Sequence, residues 1–314
     1  MSLSLNIKKR VDLRPILLLT TLLLIPLYAE PMRNGILNGI QLCVKTIIPC
    51  VFPFMILSSM LLHSSAFDLS PGLSRLFEKA FHINKNGLCA FLCGCLCGFP
   101  LGAKCAKETY VSGRISEDEC ERLIGFSSNA SPAFLISGVG VLRKSIAEGV
   151  FLYIVMVLSA ILVGLLIGRK KEPSSVSGTK KTLDFSFTDT VEGAGIGTLY
   201  VCSYLLFFSA LIGILKAFVF KSALINALFL PLLEIGAAST FLSNAELPEF
   251  LALALTGFAA SFGGFSVHLQ SAGILRDTKI SMKYYYFSKF LQGILSFSII
   301  LFLCALRALF MLNP

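Results

Sequence analysis

The chain has 314 residues, of which 55% are hydrophobic and only 14% are charged, whereas soluble domains carry about 25% charged residues. A mean hydropathy of +0.79 and several apolar runs of about 20 residues, the length that crosses a bilayer, exclude a soluble globular domain. The net charge of +9 would suit a nucleic-acid ligand. The basic residues, however, gather at the ends of apolar runs, at residues 8–14 and 169–181, as in the cytoplasmic loops of membrane proteins. We therefore predict an all-α, polytopic membrane protein that contacts a lipid bilayer and no nucleic acid.

The first apolar runs predict an anchor and a bent span. Residues 11–29 are expected to form a retained transmembrane anchor, because no convincing cleavage site follows them. The second run, residues 35–62, contains Pro49 and Pro53, and two prolines in one span predict a bend or a break. An amphipathic segment around residues 73–81 could lie in the membrane interface.

The third apolar run is interrupted by residues 97–104, which read CGFPLGAK. Gly98 and Gly102 are four residues apart and form a smooth face that lets another backbone approach closely. Pro100 removes a backbone donor. Lipid satisfies no free backbone group, so such a break is tolerated only where it faces protein or a wet cavity. Tight packing and a half-helix end that faces a substrate both stay open as explanations.

A charge and a second interruption follow. Lys104 is either the cation that meets an anionic substrate or a side chain that snorkels to the membrane edge. Ser116 and Glu119 predict the capping box of a helix that runs towards Asn129. Ser131 directly precedes Pro132, and Asn129 lies three residues before it. Both offer hydrogen bonds at a point where the backbone is also free. These two residues are substrate-binding candidates, with an ordinary loop as the alternative.

Beyond this point the chain divides at a polar linker. One clean span is predicted at residues 146–167, and four more follow the linker, at residues 191–218, 224–242, 247–275 and 286–310. The predicted organisation is an N-terminal anchor (1–34), a first repeat with its following span (35–168), the hydrophilic linker (169–184) and a second repeat (185–314).

The second half has its own polar interruption. Glu234 is the lone acid within an apolar run, a setting in which an acid is usually functional or paired, and a pair with Lys104 is one possibility. Gly264 begins a segment with Ser266, His268 and Gln270, which are spaced by two and share a face only if the helix is unwound. All five are substrate-binding candidates. Glycines and turns recur at similar offsets in the two halves, the pattern of repeats with broken helices in transporters. Inverted and parallel repeats both remain open.

No constellation in the sequence predicts an enzyme. No Ser/His/Asp arrangement, metal-ligand spacing or phosphate-binding loop is present, so we expect no catalytic residue, metal or cofactor. The ten cysteines lie mostly in apolar surroundings, where cysteine behaves as a small hydrophobe. Helical spacing directs Cys95 away from Cys93 and Cys97.

These segments together resemble the sporulation integral membrane protein YlbJ family. The resemblance covers residues 35–310, and no single segment carries it alone. Its first nucleoside-recognition Gate segment is matched by Gly98 to Lys104, Gly113 to Ser116, and Asn129 with Pro132 to Phe134; its second is matched by Gly263 to Gln270, Ile280-Ser281 and Leu233-Glu234.

The resemblance implies two Gate-like repeats with broken or re-entrant helices. It also implies a multi-pass protein of endospore-forming bacteria, located in the mother-cell-derived outer forespore membrane, that moves a small anionic metabolite, dipicolinate, towards the spore. Half-helix N-termini and Lys104 would attract the carboxylates. The alternative function is a non-transporting scaffold for spore or envelope assembly, and a homo-oligomer is compatible with either.

Overall fold

The computed structural model describes residues 15, 19, 25–63, 71–168, 186–218 and 222–312. These residues form helices and connecting turns, with no strand among them. The predicted anchor at residues 11–29 falls largely outside this part of the chain, and the predicted linker at residues 169–184 falls wholly outside it. The prediction of an all-α, polytopic membrane protein is confirmed.

Six main helices of the described chain, numbered α1 to α6, and two π-helical segments precede residue 146, beside the short helical turns Ile25–Tyr28 and Gly140–Leu142. They are α1 (Ala29–Leu42), which continues through a π-helical turn (Cys43–Ile47) into α2 (Ile48–His63), then α3 (Pro71–Phe81), α4 (Gly87–Cys97), α5 (Leu101–Val111), α6 (Glu117–Ser127) and the π-helical stretch Ala133–Val139.

Seven helices complete the described chain. They are α7 (Ile146–Ile167), α8 (Phe187–Phe218), α9 (Ala223–Leu233), α10 (Ile235–Leu242), α11 (Glu249–Phe262), α12 (Gly264–Leu275) and α13 (Lys283–Leu312). Four helical stretches in the described chain are long and apolar enough to cross a membrane, namely α7, α8, α11 together with α12, and α13. A fifth is the pair α1 and α2, which is bent by 42°, as the two prolines of that run predict.

Local sequence signals account for several helix boundaries. Ser116 and Glu119 form the predicted capping box at the start of α6. Residues 224–242, predicted as one span, are instead two helices, because Glu234 adopts an extended conformation between α9 and α10. In α3, Phe77 is buried whereas Leu76 is 62% exposed, so an apolar surface remains on this amphipathic helix.

Small residues set the closest helix contacts. Helix α8 packs against α1, where a Cβ atom on Gly35 would lie 2.2 Å from the carbonyl oxygen of Ser209 and one on Gly213 would lie 2.3 Å from that of Pro31. Helix α13 packs against α6, α7 and α11. These helix–helix contacts depend on glycines, which let backbones approach closely, or on buried polar groups. Both are expected in a membrane, because lipid provides no hydrophobic driving force for helix association.

Candidate functional site

The first helix break lies between α4 and α5. Gly98 has φ +85°, a conformation that favours glycine, and the Phe99–Pro100 peptide is cis. A Cβ atom on Gly98 would lie 2.7 Å from the Cβ of Ser131. The first break therefore contacts the second interruption, which follows α6.

The second break is held against α4 and α5 by close backbone contact. A Cβ on Gly94 would lie 1.6 Å from the carbonyl oxygen of Ser127, and one on Gly102 would lie 2.1 Å from the same oxygen. Gly102 thus serves packing between the two breaks. Ser131 Oγ accepts a hydrogen bond from the Phe134 N–H at 3.1 Å, which begins the π-helical stretch.

The third break, at Gly263 between α11 and α12, contacts the first, and the fourth break, at Glu234 between α9 and α10, contacts the third. Gly263, at φ +89°, ends α11, and a Cβ there would lie 3.0 Å from Cζ of Phe99. A Cβ on Gly264 would lie 3.0 Å from the backbone nitrogen of Glu234. The four interruptions, two from each half of the chain, therefore form one continuous set of contacts.

A cavity of about 60 Å³ lies among these breaks, with room for a few water molecules. Its wall is mostly apolar, and its polar side chains are Ser131, Glu234 and Gln270. The lining comprises Leu42, Ile47, Val51, Cys97, Gly98, Phe99, Ala130, Ser131, Phe134, Val201, Leu205, Glu234, Ile235, Val267 and Gln270.

The carboxylate of Glu234 is held at the N-terminus of α10. Its two oxygens accept hydrogen bonds from the N–H groups of Gly236 at 2.9 Å and Ala237 at 2.6 Å. These are donors that no helix satisfies internally, and the helix dipole favours a negative charge there. This half-helix N-terminus therefore holds a carboxylate of the chain itself, and its attraction for a substrate carboxylate stays a prediction. Glu234 forms no pair with Lys104, so that possibility is corrected.

Behind the cavity, a buried polar network surrounds Lys289, which the sequence reasoning did not single out. Its ammonium donates to the Ser128 carbonyl and to Gln292 Oε1, both at 2.6 Å. Gln292 Nε2 donates to Asn129 Oδ1 at 2.9 Å and to the Met156 carbonyl at 3.1 Å. Asn129 therefore orients the second break through a partner 163 residues away in sequence.

Lys104 lies outside the cavity lining. It is one turn past the break, where it forms a partly exposed ion pair with Glu108 at 3.8 Å. The predicted position of Lys104 beside the first break is therefore seen, but its side chain pairs along its own helix. Pro100 is buried and directly precedes α5.

The segment after Gly264 is a regular helix, so the condition under which Ser266, His268 and Gln270 would share one face is not met. Gln270 Nε2 donates to Ser266 Oγ at 3.3 Å along one face of α12, and Gln270 lines the cavity. His268 lies on a different face, where Nδ1 is 3.2 Å from the Tyr285 hydroxyl. Its ring packs edge-on against Phe262, so the helix separates His268 from the other two candidates.

The thiols of α4 divide between two surroundings. Cys93 interacts with Cys89, Cys97 and Cys105, whereas Cys95 contacts Asn129 at 3.6 Å. The predicted divergence of Cys95 from its neighbours is therefore seen. In the described ranges, no group of three or more histidine, cysteine or acidic side chains has a geometry that could hold a metal ion.

Comparison with known proteins finds a relative by sequence. The chain is 26% identical, over an alignment of 303 residues, to the sporulation integral membrane protein YlbJ of Bacillus subtilis (strain 168). The alignment covers 82% of this chain and 74% of that relative. No family model and no solved structure matches. The match confirms the predicted resemblance to the YlbJ family, whereas the Gate-like repeats stay a prediction.

Proposed function

We propose that this multi-pass relative of YlbJ is a carrier or facilitator of a small anionic solute, with dipicolinate as the first candidate. The observation that supports this proposal is the meeting of four helix interruptions around one cavity. Irregular backbone at membrane depth is tolerated where it lines a cavity, and discontinuous helices from two halves of a chain supply the central sites of secondary transporters.

The wall of the cavity offers donors suited to carboxylates. The N-terminus of α10 already holds one carboxylate, that of Glu234. The Gln270 amide and the Ser131 hydroxyl lie in the same wall. A flat dianion has a carboxylate on each of two sides, so donors from opposite breaks would bind both ends.

The cavity is too small for such a solute as it stands, because about 60 Å³ holds only a few waters. Transport therefore requires the breaks to separate. Breaks between rigid half-helices are suitable hinges, since a few residues at helix ends absorb the rotation. The outer forespore membrane is the location that this function would require.

A flux measurement with a matched pair of variants tests the proposal. Purified protein is reconstituted in terbium-loaded vesicles, and dipicolinate entry is followed by luminescence. Val267→Trp places a large ring in the cavity wall, whereas Phe265→Trp, on the same helix, changes a side chain that is 49% exposed outside the cavity. We expect flux in the wild type and in Phe265→Trp and a strong loss in Val267→Trp. Absence of wild-type flux, or equal flux in both variants, would contradict the proposal.

A further inference from the structure

Lys289 is a fully buried cation whose described contacts include no anion. Its two hydrogen-bond acceptors, the Ser128 carbonyl and Gln292 Oε1, are both neutral. The ammonium nitrogen also lies 5.1 Å from the centroid of the Phe99 ring, within range of a cation–π contact. Carbonyl oxygens and a ring face therefore hold the charge, and neither neutralises it.

An uncompensated ammonium is costly at this position. Lys289 belongs to α13, one of the candidate membrane spans, and its side chain is shielded from solvent. Charges within membrane spans usually pair with one another or face a solute pathway. The cost of burying one charge falls when an opposite charge with good hydrogen-bond geometry joins it.

The acidic groups of the neighbouring helices pair elsewhere or are exposed. Helix α13 packs against α6, α7 and α11. In α6, Asp118 pairs with Arg122, Glu121 accepts a hydrogen bond from the Ser281 N–H, and Glu117 is exposed. Glu119 of α6 caps its own helix, and Glu148 of α7 and Glu249 of α11 both pair with Arg143. The groups that accept hydrogen bonds from Gln292 in this network, Asn129 Oδ1 and the Met156 carbonyl, are neutral.

Phe99 separates the ammonium from the cavity. Its side chain is part of the cavity wall and also lies against Lys289. The ring is seated on Gly263, where a Cβ would lie 3.0 Å from Cζ. Phe99 is also part of the Gly98–Pro100 break, so a rotation of this break would move the ring. Ser127 Oγ at the end of α6 and Ser128 Oγ in the break that follows it are buried without a hydrogen-bond partner in the described structure. They are further donors beside the carbonyl that binds Lys289.

We infer that Lys289 binds a carboxylate of the transported anion, and that this carboxylate replaces the Phe99 ring face when the first break moves. The inference rests on the proposed function, since it names the group that selects for an anion at the same cavity. Lys289 takes the role that the sequence suggested for Lys104.

The test of this role is the selectivity of binding for a dicarboxylate over its uncharged diamide. Loss of a lysine with a purely structural role would not change this selectivity. The full-length protein in detergent is titrated calorimetrically with pyridine-2,6-dicarboxylate and with its uncharged diamide. Lys289→Met keeps the length of the side chain and removes its charge. We expect dicarboxylate affinity to fall about ten- to a hundredfold, the usual effect of losing a charged hydrogen bond, with little change for the diamide. Lys104→Met, the matched control, should leave both affinities unchanged.

A second variant answers the question if Lys289→Met does not fold. Phe99→Leu keeps an apolar side chain but removes the ring face, so an incoming carboxylate displaces a weaker contact. The ratio of dicarboxylate to diamide affinity should rise. An unchanged ratio in Phe99→Leu, or full dicarboxylate affinity in a folded Lys289→Met, would overturn the inference. The proposed function would still stand in that case if the wild type carries dipicolinate flux. A wild type that neither binds nor moves dipicolinate would remove the proposed function itself.

Discussion

The α-carbon of Gly94 faces the backbone carbonyl of Ser127 so closely that a Cβ atom would lie 1.6 Å from the carbonyl oxygen. The atoms that this Cβ would meet, the Ser127 carbonyl and the α-carbon of Gly102, are backbone atoms, so they cannot rotate away as a side chain could. We expect Gly94→Ala to misfold or to lower the melting temperature strongly, because overpacking a tight contact costs about 1–3 kcal/mol or more. Thermal unfolding in detergent, followed by size-exclusion fluorescence of a tagged protein, measures the effect.

Gly193 supplies the control for this prediction. It lies in α8, and a Cβ there would meet nothing within 4 Å. Gly193→Ala should be neutral or slightly stabilising, since alanine favours helix by about 1 kcal/mol over glycine. Equal melting temperatures for the two alanine variants would show that α4 and the second break do not approach as described.

A second prediction concerns the Glu234 carboxylate at the start of α10. Glu234→Ala removes acceptors for two N–H groups at a buried helix N-terminus, and loss of an N-cap costs about 0.5–2 kcal/mol. It also changes the cavity wall, so dipicolinate flux should change together with stability. Ser222→Ala is the matched control, because Ser222 caps α9 through an exposed hydrogen bond to Ile225 and lies outside the cavity lining. We expect Ser222→Ala to lower stability and to leave dipicolinate flux per folded molecule intact. The same flux per folded molecule in Glu234→Ala and Ser222→Ala would argue against a special role for Glu234.

Local signals in the sequence predict several of the helix breaks around the cavity. Gly98 and Pro100 mark a break because their backbone requirements are incompatible with a continuous helix in lipid, and Ser131 with Pro132 does the same after α6. The break at Glu234 was not predicted as a helix end, since the surrounding residues are apolar on both sides. Its cause is the carboxylate itself, which caps the helix that follows.

Long-range partners are what the sequence could not supply. Lys289 follows Lys283 and three tyrosines at the start of a long apolar run, where a basic residue is expected to reach the membrane surface. Its burial depends on Ser128, which is 161 residues away, and on Gln292 in the next turn. The polar residues Lys289 and Gln292, three apart on an apolar helix, were the available signal for a buried face.

A third prediction concerns Arg143, which joins the loop before α7 to the start of α11. Its side chain is buried and contacts Glu148 at 2.5 Å and also Glu249. Arg143→Gln should lower the melting temperature more than Glu249→Gln, because Glu249 is largely exposed and exposed ion pairs contribute only about 0.2–1 kcal/mol. Melting curves at low and high salt measure both effects. A larger loss in Glu249→Gln would mean that the loop is held by other contacts.

A fourth prediction uses Cys97, a natural thiol in the cavity wall. In a variant that keeps only this cysteine, a small anionic methanethiosulfonate should modify the thiol when the breaks separate, and dipicolinate should slow the reaction by occupying the same space. A variant that keeps only Cys120 is the control, since that thiol is fully buried in the core around α6 and lies outside the cavity lining. Modification is read by mass spectrometry of the intact protein. A dianion bound in this cavity would both block the approach of the reagent and repel its charge. Equal modification rates for the two thiols, or a Cys97 rate that dipicolinate does not change, would therefore place the solute somewhere other than this cavity.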